Sequence, residues 1–478
     1  ATGTADINIS TSTLAENSAG THGGAISLEG GTVDFSEWWR LNDNLAGGNG
    51  GALAVSGSGD VRFTSNTAGS SILNNHSNGN GGGIWLNNNT TLELYSTNGY
   101  LLSISGNDAG GNGGAAYADN GGMFDVYGRV VFTANGAATG NGGAIYLSNN
   151  SRVWLDDYNV TGPEFWVNWA QNGGAIYALN SPMVACDGAS FGSSPSGNFA
   201  TPGSGGAVYV QSSTFDADNC SFYNNKAAEH GGAIAAYASN LHIYASFSAV
   251  KNEVERQSLA PQVILATSCN PLSGPCSSFT GNLADSDGNL SGSGGAIFSS
   301  DSLLDVNHLH FNHNGAARGG AIYQEGAASV GQVANTLIHH NTVSIALGAG
   351  IRTSGGQFTV NQTTLADNIG GSGFSGVANE VKNTIAWGNS VMGFSIAPLS
   401  ASCNIDDGGL AGLNLNPQFV AAGAGENYHL RVTSPAVNAC ATGLTPDLDN
   451  FARPYGSAYD MGAFEYGLSW IYLPVVVR

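Results

Sequence analysis

Two pairs of histidines are the residues whose type and spacing first suggest chemistry. His310 and His313 form one pair, and His339 and His340 form the other. Imidazole nitrogens are common metal ligands, so two of these side chains could hold a metal ion if the fold stacks one pair on the other. Polar positions in turns are the alternative explanation. The elements that carry the histidines decide between the two.

Aspartates form a second set with catalytic potential. Asp156, Asp157, Asp187, Asp216 and Asp218 could supply carboxylates on one side of the molecule. A polysaccharide lyase needs such a cluster for calcium together with an Arg or Lys base, and a hydrolase needs two or three Asp as acid and base. No matching basic run stands one repeat away, and the sequence lacks the serine-elbow, phosphate-loop and zinc-protease motifs. We therefore predict no catalytic residues and no enzymatic activity, with a polysaccharide lyase or hydrolase as the alternative.

A third set resembles part of a calcium loop. It consists of Asp285, Asp287 and Asn289 in the run Asp-Ser-Asp-Gly-Asn. The later Glu that binds calcium through both oxygens in such loops is missing, and a plain Asp-Gly turn explains the same residues. No other cofactor is expected, so a structural calcium ion is the one possibility that the sequence leaves open.

A repeated Gly-Gly pair shows which elements position these residues. The pair is followed by Ala or Gly and then usually by Ile, Leu or Val. Copies begin at Gly23, Gly50, Gly81, Gly113, Gly142, Gly173, Gly205, Gly231, Gly294 and Gly319, with a degraded copy at Gly348. A period of about 30 residues over most of a chain predicts a solenoid. The longer step from Gly231 to Gly294 predicts one turn that has lost its motif.

A second mark in each repeat is an apolar residue followed three positions later by Asn. Examples are Leu14/Asn17, Phe63/Asn66, Phe132/Asn135, Phe165/Asn168, Phe222/Asn225, Phe279/Asn282, Phe311/Asn314, Ile338/Asn341 and Leu365/Asn368. Short alternating runs between the marks are typical of strands. We predict an all-β, right-handed parallel β-helix of roughly 13–15 coils. Glycine would permit tight corners, and the Asn amides would bond along a ladder.

The chain divides into two predicted parts. Residues 1–399 form the solenoid, with an irregular excursion at 245–293, where the rhythm breaks and the most charged run lies. Residues 400–478 form C-terminal coils or a cap and end in an apolar strand. The six cysteines suggest three disulfides by proximity, although six allow 15 connectivities. These are Cys186–Cys220, Cys269–Cys276 and Cys403–Cys440, and they indicate an oxidising compartment.

Composition limits the partners and the location. The formal net charge of −21, with three Lys in all, would repel nucleic acid and anionic membranes. The chain starts at Ala1 without Met, and neither a transmembrane segment nor a lipidation motif is present. We therefore expect a processed protein that is secreted, extracellular or at the cell surface.

The two repeat marks resemble those of chlamydial polymorphic outer-membrane proteins and related bacterial β-helix proteins. The C-terminal part is similar to bacterial secreted choice-of-anchor proteins. That similarity rests on Asn416-Pro417-Gln418-Phe419, Tyr428-His429-Leu430, Ser434-Pro435-Ala436, Arg453-Pro454 and the run from Asp460 to Tyr466. Together the resemblances imply a secreted or surface-attached passenger, often adhesive or structural.

The ends of the chain suggest self-assembly. No amphipathic helix precedes the first coil, so its edge needs a cover, and the C-terminal run consists almost entirely of strand formers. We expect a structural surface protein that assembles head to tail into an extracellular filament. The proposed assembly residues are Ile7, Ile9, Trp470, Ile471, Tyr472, Leu473, Val475, Val476 and Val477. A monomeric adhesin or carbohydrate-binding protein that contacts cell-surface glycans is the alternative.

Overall fold

Parallel strands stacked in successive turns make up most of this computed structural model, which describes residues 6–157, 161–245 and 277–467. The described residues contain no α-helix, and their one 3-10 turn is Gly423–Gly425. Strands of each turn pair in register with those of the next. The predicted all-β parallel β-solenoid is therefore confirmed.

Sheet A is the twelve-stranded sheet that receives one strand from each of twelve turns. Its strands are Ile26–Glu29, Leu53–Ser56, Ile84–Asn87, Ala116–Asp119, Ile145–Ser148, Ile176–Leu179, Val208–Gln211, Ile234–Tyr237, Ile297–Ser300, Ile322–Glu325, Ile351–Ser354 and Phe374–Ser375. The first eleven begin one residue after a Gly-Gly copy or the degraded copy at Gly348, because that pair turns the chain into this sheet, and the last strand follows Gly373.

Sheet B contains 26 strands and usually receives two from each turn. Its strands are Asp6–Ala15, Thr32–Asn42, Asp60–Ser65, Ser71–Leu73, Thr91–Ser96, Leu102–Ser105, Met123–Tyr127, Val130–Thr133, Arg152–Asp156, Glu164–Trp166, Met183–Asp187, Ser190–Phe191, Thr214–Asp218, Ser221–Tyr223, Asn240–Tyr244, Ser278–Thr280, Leu303–Asn307, His310–Asn312, Val330–Ala334, Leu337–His339, Gln357–Asn361, Thr364–Ala366, Glu380–Lys382, Ile385–Trp387, Ser400–Ser402 and Ile405–Asp406. It therefore extends two shorter turns beyond sheet A.

Sheet C is narrow, with strands of two residues. They are Ser18–Ala19, Leu45–Ala46, His76–Ser77, Asp108–Ala109, Gly136–Ala137, Trp169–Ala170, Phe199–Ala200 and Lys226–Ala227, and the separate pair Gly315–Ala316 and Thr342–Val343 continues the same wall. Bridges through Leu283 connect the two groups. Each turn thus runs through sheets B, C and A in that order.

The Gly-Gly corner between sheets C and A explains the repeat. Gly173 has φ of +61°, a conformation that side chains rarely adopt. A Cβ on Gly174 would lie 2.2 Å from the carbonyl oxygen of Gly206 in the next turn. Only glycine at both positions lets consecutive turns approach this closely.

The core is built from ladders of identical residues. Six phenylalanines stack with ring centroids 4.6–5.0 Å apart: Phe132, Phe165, Phe191, Phe222, Phe279 and Phe311. At the neighbouring corner a continuous asparagine ladder runs from Asn17 to Asn389, and each Nδ2 donates to the Oδ1 of the next turn. The predicted Asn ladder is confirmed, but Asn66 is exposed and Asn75 takes its place.

The step from Gly231 to Gly294 is one turn, so the prediction of a turn without its motif is wrong. Ile234 and Ile297 are direct neighbours in sheet A. The strands Asn240–Tyr244 and Ser278–Thr280 both belong to this turn, since the first pairs with Leu303–Asn307 and the second with His310–Asn312. Residues 246–276 are inserted between these two strands and lie outside the described residues.

The C-terminal part packs against the wall of the last turns. It contains the antiparallel hairpin of Phe419–Ala421 and Asn427–Leu430 and a second apolar cluster that includes Tyr428, Leu448 and Phe464. The Arg453–Glu465 ion pair is almost fully buried within it, at 3.3 Å.

Two disulfides lie within the described residues. Cys186–Cys220 joins adjacent turns, and Cys403–Cys440 ties the last turn to the C-terminal part. Cys269, Cys276 and the proposed assembly segment Trp470–Val477 lie outside the described residues.

Candidate metal centre

The four histidines lie together at one corner of the solenoid wall. His310 and His339 lie on adjacent sheet B strands, and their Nε2 atoms are 2.6 Å apart. His313 and His340 follow those strands in left-handed backbone conformations, with φ of 56° and 51°. Their rings stack with centroids 5.3 Å apart. The repeat thus brings together the two pairs that the sequence singled out.

The C-terminal hairpin adds groups that the sequence analysis did not connect with these histidines. Oε1 of Glu426 lies 3.4 Å from Nε2 of His313 and 4.0 Å from Nδ1 of His340. Tyr428 places its hydroxyl 3.3 Å from the same His340 nitrogen. No local signal marks this contact, because the hairpin is more than 80 residues away in the chain.

Hydrogen bonds hold the hairpin in position. The Tyr428 hydroxyl donates to Oδ2 of Asp367 at 2.8 Å, and the Gly423 N–H donates to the same oxygen at 2.7 Å. Burial, followed by the hydrogen bond and the charge of Asp367, raises the pKa of Tyr428 above its usual range. The phenol therefore stays protonated and remains a donor.

The inner histidines are neutral at physiological pH. His339 is completely buried, and burial together with the neighbouring imidazoles lowers its pKa to about 2. Burial and His313 lower the pKa of His310 to about 4. A neutral imidazole has a free lone pair on one ring nitrogen. This neutral form is the one that binds metal ions.

The arrangement provides donor atoms for a metal ion. One ligand atom each from His339, His340 and Glu426 lies within 4.8 Å of the other two. Imidazole nitrogen and carboxylate oxygen form the ligand set of many zinc sites.

Three of the aspartates stack at one position. Asp156 pairs with Asp187, and Asp187 with Asp218, on successive sheet B strands. Asp216 belongs to a different row, where it faces His242, and burial raises the pKa of its carboxyl. Three carboxylates that a polysaccharide enzyme could use thus lie in one row, whereas Asp216 lies in another.

The residues of the calcium prediction form a turn of their own. Oδ1 of Asp285 accepts the Leu290 N–H at 2.8 Å, and Oδ2 of Asp287 accepts Nδ2 of Asn289 at 2.8 Å. Their oxygens stabilise this turn by hydrogen bonds. A calcium ion there stays a prediction.

An aromatic row lies on the outer face of sheet A. It runs through Trp85, Tyr117, Tyr146, Tyr177 and Tyr209, which are equivalent residues of successive strands. The tyrosine rings stack almost in parallel, 4.8–5.1 Å apart. Because their faces cover one another, Tyr117, Tyr146 and Tyr177 are only 8–9% exposed.

Comparison with known proteins identifies the repeat. The family model described as the Chlamydia polymorphic membrane protein repeat matches residues 219–237 and 277–300. Both stretches contain an apolar-x-x-Asn mark and a Gly-Gly copy. No curated protein and no solved structure matches the chain.

The chain is therefore a parallel β-solenoid, and two of its stretches are similar to the polymorphic membrane protein repeat. The resemblance of its C-terminal part to choice-of-anchor proteins stays a prediction. In the part of the chain that the structure describes, no helix is long and apolar enough to cross a membrane.

Proposed function

We propose that this chain is a secreted or surface-associated structural protein that assembles end to end into filaments. The polymorphic-membrane-protein repeat supports the surface location. The observation that carries the assembly is the edge of strand Asp6–Ala15. This strand of ten residues pairs with Thr32–Asn42 on one side, and its other edge has no partner strand among the described residues.

The apolar side chains of this strand are incompletely covered. Ile7 and Ile9 are only partly buried, whereas their neighbours one turn further in, Val33 and Phe35, are at most 1% exposed. A further turn stacked on the edge would bury these side chains and satisfy the backbone groups.

A second copy is the proposed cover. The segment Trp470–Val477 consists of strand formers apart from Pro474 and could add to the edge of a neighbour by strand addition. Contact between two different surfaces of identical subunits generates open fibres. Each subunit would add on the order of 65 Å to the length of the filament, since stacked turns are about 4.8 Å apart.

Electron microscopy and sedimentation of the purified chain test the assembly. Filaments are expected, and the double variant Ile7→Lys/Ile9→Lys should abolish them because it charges the edge. The matched control, Asp34→Lys/Ser36→Lys, places its charges on exposed positions one turn inside and should still assemble. Wild-type protein that remains as single rods at high concentration contradicts the proposal.

A monomeric, glycan-binding adhesin is the second candidate, and the aromatic row on sheet A favours it. Equivalent side chains repeated at every turn suit an extended polysaccharide with repeated hydrogen-bonding groups, which would contact the 8–9% of Tyr117, Tyr146 and Tyr177 that is exposed. Glycan arrays should then show binding by the wild type that the double variant Tyr146→Phe/Tyr177→Phe weakens. The control variant Tyr100→Phe, at an exposed position, should bind as the wild type does. Equal glycan binding by both variants would exclude the aromatic row as the binding surface.

A further inference from the structure

We propose that His339, His340 and Glu426 bind a divalent transition-metal ion of the zinc class. Their three donor atoms lie within 4.8 Å of one another. Two imidazoles and a carboxylate match the ligand chemistry of zinc, whereas calcium and magnesium prefer oxygen alone. The site goes beyond the structural role proposed above and does not depend on it.

The distances require only small movements. Two ligands on a tetrahedral zinc lie about 3.3 Å apart when each bond is about 2.0–2.1 Å long. The Nδ1 atoms of His339 and His340 are 2.8 Å apart, and Oε1 of Glu426 is 4.0 Å from the second. Because the Glu426 side chain is 39% exposed, it has room to move toward the histidines.

A fourth ligand is close at hand. Nε2 of His313 is 3.4 Å from Oε1 of Glu426, which is the separation expected for two ligands of one zinc ion. His313 is half-exposed and does not belong to the group of donor atoms that all lie within 4.8 Å of one another, so water completes the coordination unless this imidazole moves closer.

Groups behind the ligands fit the same assignment. With Nδ1 of His339 on the metal, its proton lies on Nε2 and is donated to Nε2 of His310, 2.6 Å away. Ligating histidines usually donate their other N–H to a carboxylate, a backbone carbonyl or water, and here the neutral imidazole of His310 takes the place of that acceptor. The bonds from Tyr428 and Gly423 to Asp367 hold the hairpin that carries Glu426.

The metal would join two parts of the molecule. His339 and His340 are consecutive residues of one turn of the solenoid, and Glu426 belongs to the C-terminal hairpin. An ion that binds the folded form alone raises the unfolding temperature by mass action. Its expected role is therefore to fasten the hairpin to the wall.

Titration of EDTA-treated full-length protein tests the site. Zn²⁺ should bind with one equivalent in calorimetry and raise the melting temperature, and Co²⁺ should give the visible absorption of tetrahedral coordination. Glu426→Gln and His340→Gln should each weaken Zn²⁺ binding at least tenfold. Glu426→Gln keeps the size of the side chain and leaves position 426, which has φ of 47°, with a non-glycine residue as before, so it is a mild replacement.

The matched control is His76→Gln, which removes a histidine paired with Asp108 on a distant turn. It should bind Zn²⁺ like the wild type, and circular dichroism should show that all variants are folded. The proposal is overturned if the wild type shows no saturable binding. It is also overturned if Glu426→Gln binds as tightly as His76→Gln.

Discussion

An asparagine inside the ladder bonds to both neighbouring turns, and this explains why one residue type recurs. Nδ2 of Asn168 donates to Oδ1 of Asn198 in the next turn and to the Phe132 carbonyl in the previous one, both at 2.9 Å. The Oδ1 of Asn168 accepts hydrogen bonds from the backbone N–H and the side-chain Nδ2 of Asn135. All of these groups are buried, so each needs its partner.

Replacing Asn168 with Ala should lower stability by several kcal/mol. The change leaves buried donors and acceptors unsatisfied, at about 1–3 kcal/mol for each group. Urea unfolding followed by circular dichroism measures the shift. Asn307→Ala, at an exposed strand position, is the control and should change stability by less than about 0.5 kcal/mol. Equal effects would show that the ladder contributes little.

A buried histidine at the junction with the C-terminal part should make that junction sensitive to acid. Nδ1 of His308 accepts a bond from Asn335, whose Nδ2 also donates to the carbonyl of Pro446. Burial, and then the charge of Arg453, lowers the pKa of His308 to about 4, while a hydrogen bond to the Leu448 backbone and the charge of Asp449 act in the opposite direction. The folded state therefore favours the neutral imidazole.

The stabilising contribution of His308 should be present above about pH 6.5 and be lost as the pH falls through about 4. It amounts to up to about 3 kcal/mol. Asp447, whose pKa is raised to about 6 by burial, opposes this trend, since its contribution is lost as the pH rises. His308→Gln should therefore flatten the fall in melting temperature between pH 6.5 and 4. An unchanged slope would assign the acid sensitivity to other groups.

The corner is the element that sets the spacing between turns. Gly174→Ala should disrupt it, because the new methyl group would lie 2.2 Å from a backbone oxygen that cannot move alone. We expect a fall in melting temperature of many degrees, measured by calorimetry. Gly20→Ala is the control, since a Cβ there meets nothing within 4 Å and φ is not positive. Similar melting of both variants would contradict the close packing at the corner.

The solenoid could be predicted from the sequence because its signals are local and repeated. Gly-Gly and apolar-x-x-Asn recur in almost every turn, so their roles follow from backbone geometry. The prediction that Asn66 belongs to the ladder is wrong. Two apolar-x-x-Asn patterns occur in that turn, and only the second, Ile72/Asn75, lies at the corner. Spacing alone likewise could not distinguish a lost motif from the insertion at 246–276.

The sequence predicts the histidines of the candidate metal site but not its carboxylate. The repeat period brings His310 and His339 onto adjacent turns, and the sequence contains that period. The position of Glu426 depends on how the hairpin folds back, which is fixed by tertiary contacts such as Tyr428 with Asp367. Contacts of this kind have no periodic pattern in the sequence.

At the scale of the whole molecule, each turn contacts mainly its two neighbours, so stability should be local. In such a one-dimensional array a defect weakens the adjacent turns more than distant ones. Phe191 lies in the middle of the phenylalanine stack and is fully buried between Phe165 and Phe222, with ring centroids 5.0 and 4.9 Å away.

Phe191→Ala should cost about 3–5 kcal/mol, concentrated in the surrounding turns. Hydrogen exchange measured by mass spectrometry should show faster exchange in Glu164–Trp166 and Ser221–Tyr223, with unchanged rates in Leu53–Ser56 and Ile351–Ser354. Tyr100→Ala, at an exposed position, is the control and should leave all four strands protected. Uniformly faster exchange along the chain would instead mean that the solenoid unfolds as one cooperative unit, because the turns would then share their stability over the full length.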